Sequence, residues 1–371
     1  MELKKILENE PGFRVEQVEK AIYQDLITDW NEANNLPKAL REKLKKELPL
    51  EIKADVLVSQ KSNSIKIAML LDDGLKAEAV LMRHGTCPER SRRDRNTVCV
   101  SCQVGCAMGC VFCLTGKAGL RRSLISWEIV QQVLFFARLL KAERPERSRR
   151  ITNIVFMGMG ESLLNYDNVI EAIKILNNKN CFNISMRRIS ISTVGIPWAI
   201  KKLAKEKIKP ARIATRSVAG GPNLAVSLHA SNQKLRAKLM PIAKNHDLSE
   251  LSRAIDFYIK ETGQRVIFEY LMLKGINDSE KDAIGLAQLV KQFKAPESFR
   301  PGKNFYFVNL IAFNDFKSQD VLAFEPPRRE KILMFKEILA RHGIDAVQRY
   351  KFGEDIKGAC GQLAYNINHK S

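Results

Sequence analysis

Five of the eight cysteines in this 371-residue chain fall between positions 99 and 113. Three of them form the run Cys106-Ala-Met-Gly-Cys110-Val-Phe-Cys113. Thiolates are the usual ligands of iron–sulfur clusters, which ordinarily take four. Three thiols in a tight loop can hold three irons of a 4Fe–4S cube and leave the fourth iron open. An open iron can chelate an amino and a carboxylate group together, as S-adenosylmethionine (SAM) offers them, with the sulfonium beside the cluster for one-electron cleavage. Gly105 and Gly109 let the backbone fold closely around an inorganic core. A second reading pairs Cys99-x-x-Cys102 with Cys110-x-x-Cys113 as a structural zinc site in an RNA-binding module. The seven-residue gap between those pairs is shorter than in common zinc ribbons.

Three further positions have chemistry to offer. Gly160-Glu161 places a carboxylate, able to pair with an ammonium, next to a residue that permits close approach; the same dipeptide also makes an ordinary turn. His229 closes the apolar run Leu-Ala-Val-Ser-Leu-His and by itself reads as a satisfied core residue. Cys360 lies in Lys-Gly-Ala-Cys-Gly-Gln, whose small side chains would leave a thiol accessible as a nucleophile. A lone thiol in such a loop is otherwise incidental.

These residues need a frame, and the pattern supplies one. From about residue 97, strand-like runs alternate with amphipathic helices: TVCVSC, ITNIVFM, RRISISTV, LAVSLHA, RVIFEYLML and FYFVNLIAF are each followed by a helical segment. Six βα units predict an α/β fold, a partial (β/α)6 barrel with its chemistry at the C-terminal ends of the strands. Before it, VEQVEKAIYQDLI and LPKALREKLKKELPL read as helices, and SIKIAMLLDDGLKAEAVLM as a hairpin turning at Asp-Asp-Gly. The expected division is a mainly helical plus β-hairpin accessory domain at 1–85 that binds RNA, the barrel at 95–345, and a C-terminal strand and cysteine loop at 346–371.

Composition narrows the setting. Lys and Arg outnumber Asp and Glu by 61 to 41, a net +20 that suits a polyanion such as RNA. The N-terminus lacks the apolar region of a signal peptide, and no apolar run is long enough to span a bilayer, so a cytoplasmic protein is expected. Pro-Glu-Arg-Ser-Arg-Arg occurs twice, at 88–93 and 145–150, and the stretch ARIATRSVAGGP at 211–222 has a similar flavour. Each insert precedes a strand, so each belongs to the barrel face remote from the chemistry and reads as a tolerated insertion rather than an added RNA-binding arm.

Taken in order, CVSCQVGCAMGCVFCLTGKAGL, FMGMGESLLNYDNV, ISTVG, LAVSLHA, VNLIAFN and GEDIKGACGQLA resemble the RlmN-type radical-SAM adenine methyltransferases and, more loosely, the Cfr-type enzymes, over residues 10 to 368. The resemblance implies methylation of carbon 2 of adenosine in 23S rRNA and in tRNA beside the anticodon, with carbon 8, the Cfr-type position, as the alternative. It implies that Cys106, Cys110 and Cys113 hold one 4Fe–4S cluster. SAM, two molecules per turnover, would be bound by Gly160, Glu161, Ser192, Ser227, Leu228, His229 and Asn314. Cys360 would carry the methyl group and become joined to RNA, Cys99 would resolve that adduct through a disulfide, and Glu78 would accept a proton. A flavodoxin- or ferredoxin-type electron donor, a thiol reductant and a monomeric enzyme are implied as well. The chain departs from the family pattern at Cys102, where Ser is usual, and at Ser162, where Pro is usual. Cys102 is expected to be a spectator, and Cys87 and Cys181 are given no role.

Overall fold

The protein is described by a computed structural model covering residues 2–60, 63–84, 95–143, 150–206, 221–293, 305–314, 324–349 and 352–363. Its strands are β1 (Ala54–Val58), β2 (Ser64–Leu70), β3 (Lys76–His84), β4 (Arg95–Cys99), β5 (Gln103–Gly105), β6 (Leu120–Ser123), β7 (Asn153–Phe156), β8 (Ile189–Thr193), β9 (Asn223–Ser227), β10 (Val266–Met272), β11 (Tyr306–Ala312) and β12 (Ala346–Gln348). Among the described residues, ten form one sheet in the order β1-β2-β3-β4-β7-β8-β9-β10-β11-β12, while β5 and β6 form a separate ribbon. The run from β4 through β12 is parallel throughout. On one face of these strands Ile154, Phe156, Ile189, Ile191, Leu224, Val226, Phe268 and Val308 are buried, alternating in β7 and β8 with the half-buried Asn153, Val155, Ser190 and Ser192.

Each of the six predicted βα units forms. The helices Ser126–Glu143, Tyr166–Asn177, Pro197–Lys205, Leu248–Thr262, Glu280–Gln292 and Arg329–Arg341 follow β4, β7, β8, β9, β10 and β11 in turn. Their ends carry recognisable caps. Ser279 and Asp282 form a capping box, and Gly263 ends its helix in the left-handed region at φ 62°. The short β12 adds a seventh parallel strand beside β11.

The predicted hairpin is β2–β3, turning at Gly74 with φ 80°. It does not stand apart, because β3 pairs antiparallel with β4 and carries the barrel sheet on into the N-terminal segment. The helices Gly12–Tyr23 and Lys38–Glu47 pack on the same body. Arg138 of the first barrel helix donates to the carbonyls of Leu50, at 2.7 Å, and Ile27, and Tyr23 stacks edge-on to Trp127.

After β12 the chain runs back to the β2–β3 hairpin. Phe352 meets the ring of His84 at 4.8 Å, Asp355 accepts from the Gln60 amide at 2.7 Å, and the Lys357 carbonyl accepts from Lys66 Nζ at 3.3 Å. This crossing brings Cys360 over the C-terminal ends of the barrel strands.

The two Pro-Glu-Arg-Ser-Arg-Arg copies (the last residue, Arg150, excepted), Ala-Arg-Ile-Ala-Thr-Arg and Cys87 lie outside the described residues. Residues flanking the two copies meet: Arg83 Nη2 lies 2.5 Å from Glu143 Oε1, and Asn96 Nδ2 donates to the Arg150 carbonyl at 3.3 Å. No described helix is long and apolar enough to cross a membrane.

Candidate active site

The cysteine loop is set by a glycine. Gly105 has φ 78°, and a Cβ there would lie 1.8 Å from the Gly119 carbonyl oxygen, so only glycine lets β5 meet β6 closely enough for the Cys106 amide to donate to Gly119 at 3.0 Å. The loop then turns on a bond from the Cys113 amide to the Cys110 carbonyl at 3.1 Å. Cys106, Cys110 and Cys113 line one cleft of about 920 Å³, solvent mouth included, with Met108 and Phe112 as apolar wall. Burial pushes the Cys106 thiol up to about 12 and the Cys110 thiol higher still. Three thiols around an apolar hollow fit a sulfur-rich iron cluster, which needs soft ligands and little solvent. Among the described residues no three Cys, His, Asp or Glu side chains gather around a single ion. Cys102 Sγ instead approaches Ser162 Oγ at 3.8 Å and the Met159 carbonyl at 3.5 Å.

The polar wall rises from the strand ends. Gly160, φ 103°, allows the chain to pass Gln103, whose Cβ would be 2.6 Å from an added methyl. Glu161 is buried, and burial raises its pKa. Its Oε1 accepts from the Leu163 amide at 3.1 Å and its Oε2 from the Val194 amide at 2.8 Å, and the Thr193 side chain is a further hydrogen-bond partner, which together aim the carboxylate. Ser192 and Ser227 end β8 and β9 in the same cleft. His229 has φ 55° and is buried there, edge-on to Phe112 at 4.9 Å. Its Nδ1 accepts from the Leu271 amide at 2.9 Å, so the neutral ring carries its proton on Nε2. Burial, then Arg236, lowers its pKa to about 3.

Two expected contact residues are placed differently. The Leu228 side chain belongs to the core and only its backbone runs past the strand ends, its amide donating to Glu269 at 3.0 Å. Asn314 joins the site through the cysteine loop, with Nδ2 donating to the Cys360 carbonyl at 3.2 Å and Oδ1 buried without a hydrogen-bond partner.

Cys360 lines the cleft with the three loop cysteines, and the Leu114 amide, next to Cys113, donates to the Gly361 carbonyl at 3.0 Å. Cys99, the last residue of β4, is close enough to Cys360 for charge on one to oppose charge on the other. Burial first, then Cys360, pushes the Cys99 thiol up to about 12, against a lowering by Arg349. Glu78 is not an exposed strand carboxylate: it is buried, and its Oε1 meets Lys66 Nζ at 2.8 Å. Cys181 lies in the core and does not line this cleft.

Three polar residues of the site were missed in the sequence. Glu269 and Arg349 line the cleft, and Lys66 holds Glu78. Glu269 could have been found, because a carboxylate within the apolar strand Val-Ile-Phe-Glu-Tyr-Leu-Met needs a partner. Arg349 follows an exposed three-residue strand and carries no local signal.

A parallel α/β sheet with a three-cysteine loop after its first parallel strand defines the class of the protein. Residues 100–287 match the family model of the radical SAM superfamily, and residues 4–50 match that of the ribosomal RNA large subunit methyltransferase N-terminal domain. The chain is 39% identical over 95% of its length to a probable dual-specificity RNA methyltransferase RlmN of Dictyoglomus thermophilum, covering 91% of that protein. It is 40% identical over 96% of its length to the protein of the same name from Carboxydothermus hydrogenoformans, covering 92% of it. The crystal structure of a radical SAM methyltransferase from Sphaerobacter thermophilus superposes with a TM-score of 0.83 at 37% identity, over 97% of this chain and 96% of that one. The chain belongs to the RlmN family of radical-SAM RNA methyltransferases. With the superfamily come a 4Fe–4S cluster and SAM.

Proposed function

We propose that the protein methylates carbon 2 of adenosine in 23S rRNA and in tRNA next to the anticodon, through a methylated Cys360. The observation that carries this reading is that one cleft holds the three-cysteine loop and Cys360, 247 residues beyond Cys113 in the chain, with Cys99 beside it. An adenine carbon 2 is electron-poor and cannot attack the methyl of a sulfonium, so a thiol carrier on the protein supplies what the base cannot.

In this reading Cys106, Cys110 and Cys113 hold the cluster. Gly160, Glu161, Ser192, Ser227, His229, the Leu228 backbone and Asn314 surround SAM, with Glu161 receiving its ammonium. When bound, the cluster supplies the electron that splits SAM into methionine and a 5′-deoxyadenosyl radical. Cys360 would take a methyl group from one SAM and give up a hydrogen atom from that methyl to the 5′-deoxyadenosyl radical, and the remaining carbon would add to carbon 2 of the adenine. The ring radical so formed would return the one electron used in the cleavage and lose the carbon-2 proton, which Glu78 would accept. Cys99 would then attack the Cys360 sulfur, leaving a disulfide, and the freed carbon would take up a proton to become the methyl group. An external thiol reduces the disulfide, and a flavodoxin- or ferredoxin-type donor supplies electrons. The net +20 charge favours the phosphates of folded RNA, and binding weakens steeply as salt rises.

The test is nucleoside mass spectrometry of rRNA and tRNA from a host that lacks its own adenine-2 methyltransferase and expresses this chain. 2-Methyladenosine in both pools is the expected result. 8-Methyladenosine would place the chain with the Cfr-type enzymes, and the absence of both would end the reading.

A further inference from the structure

The helix Gln233–Leu239 buries one charged side chain completely. Arg236 has no exposed surface, and its Nη2 donates to the Val194 carbonyl at 2.5 Å and to the Ser227 carbonyl at 3.4 Å. Its Nε and Nη1 are buried without a hydrogen-bond partner, and among the described residues no carboxylate lies against it. Burial lowers its pKa to about 10, so the side chain is charged at neutral pH. A cation kept without a counter-charge is costly, and this one lies outside the cleft lining. What it grips is backbone at the ends of β8 and β9. Gly195, at φ 94°, leaves it room, since a Cβ there would lie 3.1 Å from Nη2.

The grip leads to Glu161 by two routes. The Val194 amide, on the other side of the same residue, donates to Glu161 Oε2 at 2.8 Å. The Gly195 amide, in the same peptide unit as the Val194 carbonyl, donates to Thr193 Oγ1 at 3.2 Å. The Thr193 side chain is in turn hydrogen-bonded to Glu161. A carboxylate only accepts, so the hydroxyl takes the Gly195 hydrogen on a lone pair and turns its own toward Glu161.

We propose that Arg236 is a positioning residue for the amino group of SAM: by gripping the Val194–Gly195 peptide it fixes the two hydrogen bonds, from Thr193 and from the Val194 amide, that aim Glu161. This inference rests on the reading of Glu161 as the partner of the SAM ammonium. A cation on the Val194 carbonyl polarises its peptide and makes the Gly195 amide a stronger donor, and hydrogen bonds in series reinforce one another. Burial raises the pKa of Glu161, and the bonds from Thr193 and the Val194 amide oppose that rise, which favours the ionised form that an ammonium needs.

The experiment compares equilibrium binding of two ligands to the reconstituted full-length protein. SAM carries the amino group; 5′-methylthioadenosine keeps the nucleoside and the S-methyl but lacks the amino-acid chain. Arg236→Met should raise the Kd for SAM about tenfold, the loss of about one hydrogen bond to a charged group, and leave that for 5′-methylthioadenosine unchanged. Arg236→Lys keeps the charge without the forked donors and should weaken SAM binding in the same selective way, by less. Because Arg236 acts through Glu161, the effect of Arg236→Met should vanish in a Glu161→Gln background.

An unchanged Kd for SAM in Arg236→Met, or an equal loss for both ligands, overturns the proposal. If Arg236→Met does not fold, either result in Arg236→Lys overturns it instead. An effect that adds in full to that of Glu161→Gln, as damage to the cluster would, ends the inference and leaves the reading of Glu161 in place. A Glu161→Gln variant that binds SAM as tightly as the parent ends that reading, and the inference with it.

Discussion

Lys66 Nζ and Glu78 Oε1 lie 2.8 Å apart across the β2–β3 hairpin, with side chains 9% and 1% exposed. Lys66 also donates to the Lys357 carbonyl, three residues before Cys360. The pair joins the N-terminal hairpin to the loop that presents the thiol.

Breaking such a pair on one side leaves a buried charge alone. Lys66→Met should cost about 3–5 kcal/mol in urea unfolding, and the double variant Lys66→Met/Glu78→Met should recover most of it. RNA methylation should stay lost in the double variant if Glu78 is the proton acceptor proposed above. A double variant that methylates at the parent rate would remove Glu78 from the mechanism.

The two departures from the family pattern touch each other: Cys102 Sγ is 3.8 Å from Ser162 Oγ, and both residues are buried. Residues in contact couple energetically. Cys102→Ser and Ser162→Pro, measured singly and together, should show a coupling of about 0.5–3 kcal/mol. Additive effects would mean that the contact carries no energy. Methylation should persist in Cys102→Ser, consistent with a spectator thiol.

The two thiols outside the cysteine loop have separable effects. Cys360→Ala should still cleave SAM but leave RNA unmethylated. Cys99→Ala should accumulate a protein–RNA adduct, seen as a slow gel band that ribonuclease removes. Parent-level methylation in Cys360→Ala would exclude the carrier, and a missing band in Cys99→Ala would exclude the resolving role.

His229 gives a pH signature. Its folded pKa is lowered to about 3 by burial, below the ordinary value of 6.5, so the folded state binds fewer protons than the unfolded chain between those values. The stability it contributes is complete above about pH 6.5 and is lost as pH falls toward 3, by up to about 1.4 kcal/mol per pH unit. His229→Asn should flatten this part of the stability profile of the full chain. An equally steep fall in the variant would assign the acid sensitivity to other groups.

Much of the frame was legible in the sequence because its signals are local. The strands bury apolar residues at alternate positions, Ile154 and Phe156 in one and Ile189 and Ile191 in the next, so these runs announce themselves, and helices between them repeat at helical spacing. The cysteine loop was legible because Cys106, Cys110 and Cys113 lie within eight residues of chain. Gly105 and Gly160 stand where backbones approach closely, which a side chain would prevent. Glu161 and His229 end strands and reach the cleft as a barrel requires.

Tertiary structure alone decided what met across long stretches of chain. That Cys360 returns to Cys99 depends on a segment anchored by Phe352 on His84 and by Lys357 on Lys66. That Glu78 is buried depends on β3 pairing with both β2 and β4. That Arg349 reaches the cleft beside Glu269 depends on β12 adding beside β11, an alignment that its three residues do not reveal. Alternation and composition state whether a side chain is buried. They do not state which distant group shares its low-dielectric surroundings, and that neighbour determines the charge a thiol or carboxylate can hold.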